Sequence, residues 1–526
     1  MKKIIEARLE QISRAGQADS LRHGLKGLEK ESLRVTPAGE IATSPHPRAL
    51  GSALTHPEIT TDYSEALIEL ITPPFRDSRD TLHYLEDLHR FVHANLNGEW
   101  LLATSMPCRI KGDESIPIAV YGSSNIGRMK HVYRRGLAYR YGRAMQSIAG
   151  VHFNYSVNEA LWPLLQELCG DRKPLCAFIA ERYFGMIRNA QRFGWLILYL
   201  FGASPALSKS FFLGRETLAE KFVAFDQDTL YRPHATSLRM SDIGYKNSNQ
   251  SSLDISVNDL EGYVTSLSRA ITTPFPPYQR IGVKVDGEYR QLNANILQIE
   301  NEFYSTIRPK QPTRSGEKPT LALKKRGIRY LELRSLDLNS YHPAGVSLEQ
   351  MRFLETFMLL CLLADSPPMT PEEKAAVADN LLLTACCGRR TDLRLHRESS
   401  AISLRAWAEE LCTAMEPIAR VLDGDAGDRP FSASLAQQRS ALADPDTHLP
   451  SARILREMRR EGETFVDFAL RKSMEHAKYF QERPLPEEID RQMRRRARES
   501  LARQREIEEQ DRISFDEFLA RYFAQS

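Results

Sequence analysis

Four short segments rich in β-branched and aromatic residues lie far apart in this chain, and their placement limits the folds open to it. They span residues 27–35 (GLEKESLRV), 66–72 (ALIELIT), 151–157 (VHFNYSV) and 329–338 (RYLELRSLDL). Helical patterns fill the intervals unevenly, for example over 81–96, 128–148 and 174–193. Strands and helices that do not alternate one for one argue against a doubly wound parallel sheet and for an α+β arrangement. Beyond about residue 345 the pattern is almost wholly helical, over 347–364, 371–385, 403–422, 451–476 and 486–512. Asp, Gly and Pro interrupt it around 423–430 and 443–450. The expected division is a core over residues 1–345 and a helical region over 346–526 packed on it.

Composition closes off several classes. An apolar fraction of 42% with 26% charged residues is ordinary for a globular chain and excludes wholesale disorder. The 71 Lys and Arg against 68 Asp and Glu leave a net charge of +3, which supplies no global drive toward nucleic acid or an anionic membrane. The most apolar uncharged run, 194–208, contains Gly202 and Pro205 and falls short of the roughly 20 residues that span a bilayer. At the N-terminus, MKKIIEARLE meets Glu6, Arg8 and Glu10 before any apolar stretch forms, so no secretory signal is expected. Seven cysteines, an odd number without a CxxC pair, fit reduced thiols in a cytoplasmic compartment.

The strand segments carry an unusual set of side chains. Residues two apart on a strand share a face, which aligns Glu29 with Glu31, Glu65 with Glu69, and Glu332 with Arg334. In 151–157 the apolar Val151, Phe153, Tyr155 and Val157 take one face and His152, Asn154 and Ser156 the other. Asp62 sits just before the second segment. A single acid on a strand usually faces water, and the first segment is polar on both sides through Lys30, Ser32 and Arg34. The joint pattern points elsewhere: several carboxylates, one imidazole, one amide and one guanidinium share these faces without a lysine. Carboxylates gathered on one sheet repel unless cations neutralise them. Hard oxygen donors with an occasional imidazole suit Mg²⁺ or Mn²⁺, and such sites most often serve phosphate chemistry. There is no GxxxxGK[ST] and no GxGxxG after a strand, so any ATP phosphates would be held by the carboxylate–metal sheet, with Arg334 adding planar donors.

Two further segments each admit two readings. RMKHVYRRGLAYRYGR, residues 128–143, is either an amphipathic helix with Tyr133, Leu137 and Tyr141 packed inward or an RNA-facing helix. The loop IRPKQPTRSGEKP, residues 307–319, carries Arg308, Lys310, Arg314 and Lys318 and is either a phosphate clamp or a solvated linker. The charge-dense helix over 486–512 reads as a solvated helix packing an Ile489/Met493/Leu501 stripe, with salt bridges at Glu487/Arg491, Asp490/Arg494 and Glu499/Arg503.

These same segments resemble the proteobacterial glutamate–cysteine ligase (γ-glutamylcysteine synthetase) family. The likeness is carried by GLEKESLRV, HPRALGSALTHPEITTDYSEALIELITP, SMPC, YGSSNIGRMKHVYRRGL, RYGRAMQSIAGVHFNYS, RFGWLILYLFGASPA, ATSLRMSDIGY, LQIENEFYSTIRPK, TRSGE and YLELRSLDLN. It runs from about residue 24 to 345 and returns at 451–458, while 370–440 departs from the family pattern. The resemblance implies a glutamine-synthetase-like fold, a curved antiparallel sheet with surrounding helices and a helical C-terminal region, the core over 1–345 being the ATP-dependent ligase. It implies ATP-dependent joining of the γ-carboxylate of L-glutamate to the amine of L-cysteine. By the matching motifs, Glu29, Glu31, Asp62, Glu69, His152 and Glu332 bind Mg²⁺, and Arg334 contacts the transferred phosphate. Tyr63, Tyr133, Tyr245 and Tyr304 build the thiol-substrate pocket, with Arg134, Leu137 and Gln146 beside them. Glu65 receives no role. Cys108 and Cys169 also match family positions, leaving a redox-sensitive disulfide open beside the reduced thiols. The competing readings are a ligase of the same fold with another amine acceptor and an RNA-binding module using 128–143 and 491–505. Product identity separates the first, and a steep fall of binding with salt marks the second.

Overall fold

The computed structural model describes residues 1–244, 253–398 and 400–525. Seven strands form the central sheet: β1 (Leu25–Val35), β2 (Ile59–Thr61), β3 (Leu67–Ile71), β4 (Trp100–Leu101), β5 (Val151–Ser156), β6 (Ile307–Lys310) and β7 (Tyr330–Leu336). Their order is β6-β7-β5-β1-β3-β2, with β4 beside the end of β1, and every pairing is antiparallel. A register shift between Leu333 and Leu336 marks a bulge in β7. The four segments expected to be strands are all strands of this one sheet. Three more were missed, because Ile59–Thr61 and Trp100–Leu101 are too short for a period to show. The third, β6, contains Pro309 and reads as loop; as an edge strand it tolerates the missing N–H. The first four residues of the basic loop are therefore sheet.

The helices that matter for the site are α1 (Lys2–Arg14), α2 (Ser78–His93), α3 (Asn125–Tyr141), α4 (Leu175–Phe193), α5 (Leu348–Leu363), α6 (Leu404–Asp423), α7 (Phe465–Gln481), α8 (Glu487–Gln510) and α9 (Phe515–Phe523). The pattern over 128–148 ends early as a helix because Gly142 turns at φ +81°. The pattern over 451–476 is two helices, Pro450–Glu461 and α7, parted by Gly462 at φ +66°. Thr464 then caps α7, and its side chain and that of Asp467 satisfy each other's backbone N–H groups.

The polar second face of β1 does not meet water. Helices α2 and α5 cover it, and Lys26, Lys30, Ser32 and Arg34 are all buried there. Lys26 Nζ lies 2.7 Å from Glu355 Oε1 on α5, and Arg34 Nη1 lies 2.6 Å from Glu99 Oε2. Lys26 and Arg34 are thus paired with carboxylates, whereas Lys30 Nζ donates to the Ser32 hydroxyl and burial lowers it to about 7. Helix α7 packs on α2 from the far side, and its Phe480 stacks against His89 and His93.

The chain ends by wrapping over the core. On α8 the buried stripe runs through Met493, Ala497 and Ser500, with Leu501 only partly covered, and Ser500 Oγ accepts the Ser52 N–H at 2.9 Å. Of the three expected ion pairs Asp490/Arg494 forms, at 2.7 Å, whereas Arg491 turns to Glu488 and Glu499 to Arg495. Asn125, the first residue of α3, donates to Asp511 Oδ1 at 2.6 Å and to the Ile513 carbonyl at 2.9 Å. Helix α9 lies against α3, and Lys318 Nζ donates to the carbonyls of Phe523 and Gln525 at 2.9 and 2.8 Å.

Candidate active site

Strand register assembles the acids. Across the β1/β3 pair Glu31 stands opposite Glu69, and across β1/β5 Glu29 stands opposite His152. One rung away Glu332 on β7 faces Asn154 on β5 and Arg308 on β6. His152 Nδ1 lies 3.2 Å from Glu29 Oε2 and 3.9 Å from Glu332 Oε1, while its Nε2 lies 3.8 Å from Glu31 Oε1. Asn154 donates to Glu29 Oε1 at 2.9 Å, and Glu31 Oε2 accepts the Gly150 N–H at 2.7 Å. Lys310 and Arg334 approach Glu332 at 2.8 and 3.0 Å.

The electrostatics divide the acids into two groups. Burial works against ionisation of Glu332, but Lys310, Arg334 and His152 hold its carboxyl well below the usual range. Burial and the Glu332 charge likewise oppose Glu29, yet the His152 hydrogen bond and Lys310 prevail and lower it. At Glu69 the Arg334 charge is outweighed: burial, then the charges of Glu29, Asp62 and Glu31, raise it well above the carboxylate range. Burial also raises Glu31. Such a cluster calls for added positive charge.

Glu29, His152 and Glu332 each offer one ligand atom, all within 4.8 Å of one another. His152 Nε2 is buried without a hydrogen-bond partner. Carboxylate oxygens with one imidazole match the donor set of Mg²⁺ or Mn²⁺, so these residues fit a divalent ion.

Beside the acids a pocket opens between the sheet and α3. It is lined by Glu31, Asp62, Tyr63, Tyr133, Arg134, Leu137, Gln146, Tyr304 and Arg334, with Met145, Ile148 and Asn301. The N-cap Ser124 starts α3, and its 3.6-residue period carries Tyr133, Arg134 and Leu137 round to the pocket. Gln146 donates to the Tyr304 hydroxyl at 2.8 Å. Arg134 is held by the Asp62 carbonyl and donates to the Lys130 carbonyl at 3.1 Å. Burial raises the Tyr63 and Tyr133 phenols, so both stay neutral donors.

The glutamate–cysteine ligase family profile matches residues 9–383. The chain belongs to the glutamate–cysteine ligase family. It is 50% identical over 527 residues to the glutamate–cysteine ligase of Azotobacter vinelandii, covering 100% of this chain and 99% of the relative. A Pseudomonas aeruginosa glutamate–cysteine ligase is 48% identical over 524 residues, covering 100% and 98%. The crystal structure of the Francisella tularensis glutamate–cysteine ligase in complex with AMP superposes with a TM-score of 0.89 at 36% identity, covering 95% of this chain and 97% of that one. A bifunctional glutathione synthetase from Pasteurella multocida gives a TM-score of 0.71 at 25% identity over 90% of this chain and 55% of that one. The chain is a ligase with the antiparallel sheet and surrounding helices of that family.

Among the family's expected site residues, the structure brings Glu29, Glu31, Glu69, His152 and Glu332 to one sheet face and Asp62 to the pocket beside it. Tyr63, Tyr133, Arg134, Leu137, Gln146, Tyr304 and Arg334 meet in the pocket, while Tyr245 lies outside the described residues. Glu65 does not share the face of Glu69, because β3 begins only at Leu67. Its two oxygens instead accept the N–H groups of His46 and Val120, at 2.9 and 2.8 Å.

Within 128–143 Tyr133, Leu137 and Tyr141 pack inward, and Tyr141 meets Tyr304 edge-on, while Arg128 and Tyr139 stay exposed. Lys310 and Arg308 stand at the acids, whereas Lys318 turns to the C-terminus and the Arg314 backbone N–H donates to Glu317. Arg239 is a site residue the sequence reading missed. It is fully buried, adds its charge to Glu31, donates to the Arg334 carbonyl at 2.9 Å and lies where a Cβ on Gly150 would come within 2.2 Å. The glycine in GVHFN was the available signal. Cys108 is buried, Cys169 exposed, and both are free thiols. No helix among the described residues is long and apolar enough to cross a membrane.

Proposed function

We propose a division of labour for the family's reaction, the ATP-dependent joining of L-glutamate and L-cysteine. Glu29, Glu31, Asp62, Glu69, His152 and Glu332 hold Mg²⁺, or Mn²⁺, on the sheet. Bound there, the metal neutralises phosphate charge and screens the clustered acids. Arg334 reaches the phosphoryl group in transfer, and Lys310, paired with the same Glu332, stands beside it. The cavity bordered by Arg308, Lys310, Thr320 and Tyr330 adjoins these cations and takes the nucleotide. The tyrosine-walled pocket takes the amine acceptor. The observation that carries this reading is that Glu31, Asp62 and Arg334 line the acceptor pocket while Glu31 and Arg334 also touch the metal cluster.

A carboxylate is a poor electrophile because attack adds electrons to an anion. Transfer of the γ-phosphoryl of ATP to the γ-carboxylate, with ADP leaving, removes that obstacle. The cysteine nitrogen then attacks the acyl carbon, the C–O bond to phosphate breaks, and phosphate and one proton depart. Arg334 and Lys310 supply fixed donors where charge develops on the phosphoryl oxygens. Tyr63, Tyr133, Leu137 and Tyr304 orient the acceptor and exclude water from the acyl phosphate.

The test is phosphate release from ATP and Mg²⁺ with glutamate alone, cysteine alone, and both. Release that requires both, with γ-glutamylcysteine identified by mass, is the expected result; release indifferent to cysteine would overturn the acceptor assignment. Aromatic walls exclude a similar-sized apolar side chain weakly, so 2-aminobutyrate is expected to be a substrate about 10- to 200-fold poorer than cysteine in kcat/KM. Absence of any γ-glutamyl-2-aminobutyrate at millimolar substrate would contradict it.

A further inference from the structure

The walls of the acceptor pocket come from two segments distant in sequence, α3 and the stretch 291–304, and both lean on one buried ion pair. Arg140, in the last turn of α3, donates through Nη1 to Glu302 Oε1 at 2.8 Å, and both side chains are 0% exposed. Its other N–H groups reach Gln291 Oε1 at 3.0 and 2.8 Å and the Asn293 carbonyl at 2.8 Å. The guanidinium lies 4.1 Å from the centre of the Tyr278 ring. Glu302 Oε1 also accepts the Tyr141 hydroxyl at 2.8 Å, and its Oε2 accepts the Gln298 N–H at 2.7 Å.

Both walls are tied to this pair. Gln298 donates onward to the Tyr133 carbonyl at 3.1 Å and presses on Gly136, where a Cβ would come within 2.1 Å of its Oε1. Tyr141, held by Glu302, meets Tyr304 edge-on with ring centroids 5.9 Å apart. A buried ion pair is a poor source of net stability, since desolvation offsets most of its attraction. What it adds is direction: the guanidinium fork and the carboxylate admit one arrangement where apolar side chains admit several. Neither Arg140, Glu302 nor Tyr141 lines the pocket.

We infer that Arg140, Glu302 and Tyr141 are positioning residues that set the separation of Tyr133 and Tyr304 and thereby govern recognition of the amine acceptor, an inference that rests on the acceptor-pocket reading above. Their loss weakens use of cysteine and leaves phosphorylation of glutamate intact.

The test compares Tyr141→Phe, Glu302→Gln and Tyr304→Phe in the full chain, with KM for each substrate, glutamate-dependent positional isotope exchange in ATP without cysteine, and Tm. Tyr141→Phe removes one hydrogen bond to a charged group and is expected to raise KM for cysteine about tenfold. Glu302→Gln, which also takes the Glu302 charge away from Arg140, is expected to raise it about a hundredfold. For both, KM for glutamate and ATP stays within about twofold and the isotope exchange without cysteine is unchanged. If Tyr304→Phe raises KM for cysteine but Tyr141→Phe does not, the positioning inference is overturned and the pocket stands. If Tyr304→Phe has no effect either, the acceptor-pocket reading falls and the inference with it. A parallel rise in all three KM values means a general loosening and overturns the inference as well. Should Glu302→Gln fail to fold, Tyr141→Phe decides.

Discussion

Glutamine in place of Glu332 is expected to lower kcat about 10²- to 10³-fold, because one charge serves several tasks. Its carboxylate approaches Lys310 and Arg334, lies 3.9 Å from His152 and belongs to the one three-residue ligand group found among the described residues. The amide keeps the shape but takes the Glu332 charge away from Lys310 and Arg334 and leaves the metal site short of an anion. Glu69→Gln is the informative companion. It should also lower activity, yet the two variants should move metal-free stability in opposite directions. Glu332 is held ionised by its cations, so neutralising it lowers Tm. Glu69 is pushed toward protonation by burial and by Glu29, Asp62 and Glu31, so neutralising it raises Tm. Activity assays and thermal unfolding without Mg²⁺ decide the matter, and full activity in both variants would remove the metal assignment.

Mild acid should unfold this protein steeply. Burial lowers His93 and His476 to about 3 and His46 and His56 to about 4, and drives His89 well below its ordinary value. Unfolded histidines titrate near 6.5, so below that pH the unfolded chain binds protons that the folded one refuses, and stability falls as pH falls. Each fully neutral histidine costs about 1.4 kcal/mol at one unit below its unfolded value. Five together approach the ~5–15 kcal/mol that typically separates folded from unfolded. The raised carboxyls of Glu31, Glu69, Asp337 and Glu355 act in the opposite sense and offset part of the loss. Lys30, lowered to about 7, acts mainly above neutrality, where stability rises with pH. A Tm that drops between pH 6.5 and 5, with a shallower drop in His476→Phe, is the expected record. A flat Tm over that range would contradict it.

The legible part of the site was the part with a period. Glu29, Glu31, Glu332 and His152 could be placed on faces because a strand repeats every two residues, and register then brought those faces together. Lys310 and Arg308 stood out as cations that could clamp phosphate, but a proline between them argued for loop rather than strand, although edge position excuses it. Glu65 was misplaced for the reverse reason: the apolar pattern runs on into the turn, and only the backbone shows that β3 starts at Leu67. The second face of β1 read as wet because its cations find partners, Glu99 and Glu355, far away in sequence. Arg140 and Glu302 lie 162 residues apart, and no local pattern links them.

The wrap of the chain's end over the core sets an order of events during synthesis. Asn125 waits for Asp511 and Ile513, residues made 386 and 388 positions later, and Lys318 waits for Gln525, 207 positions on. A nascent chain that has delivered every acid, tyrosine and arginine of the site still lacks the contacts that seat the start of α3 and the segment leading into β7. The sheet can form early, but the start of α3 and the segment after β6 gain these contacts only once residues 511–525 have left the tunnel.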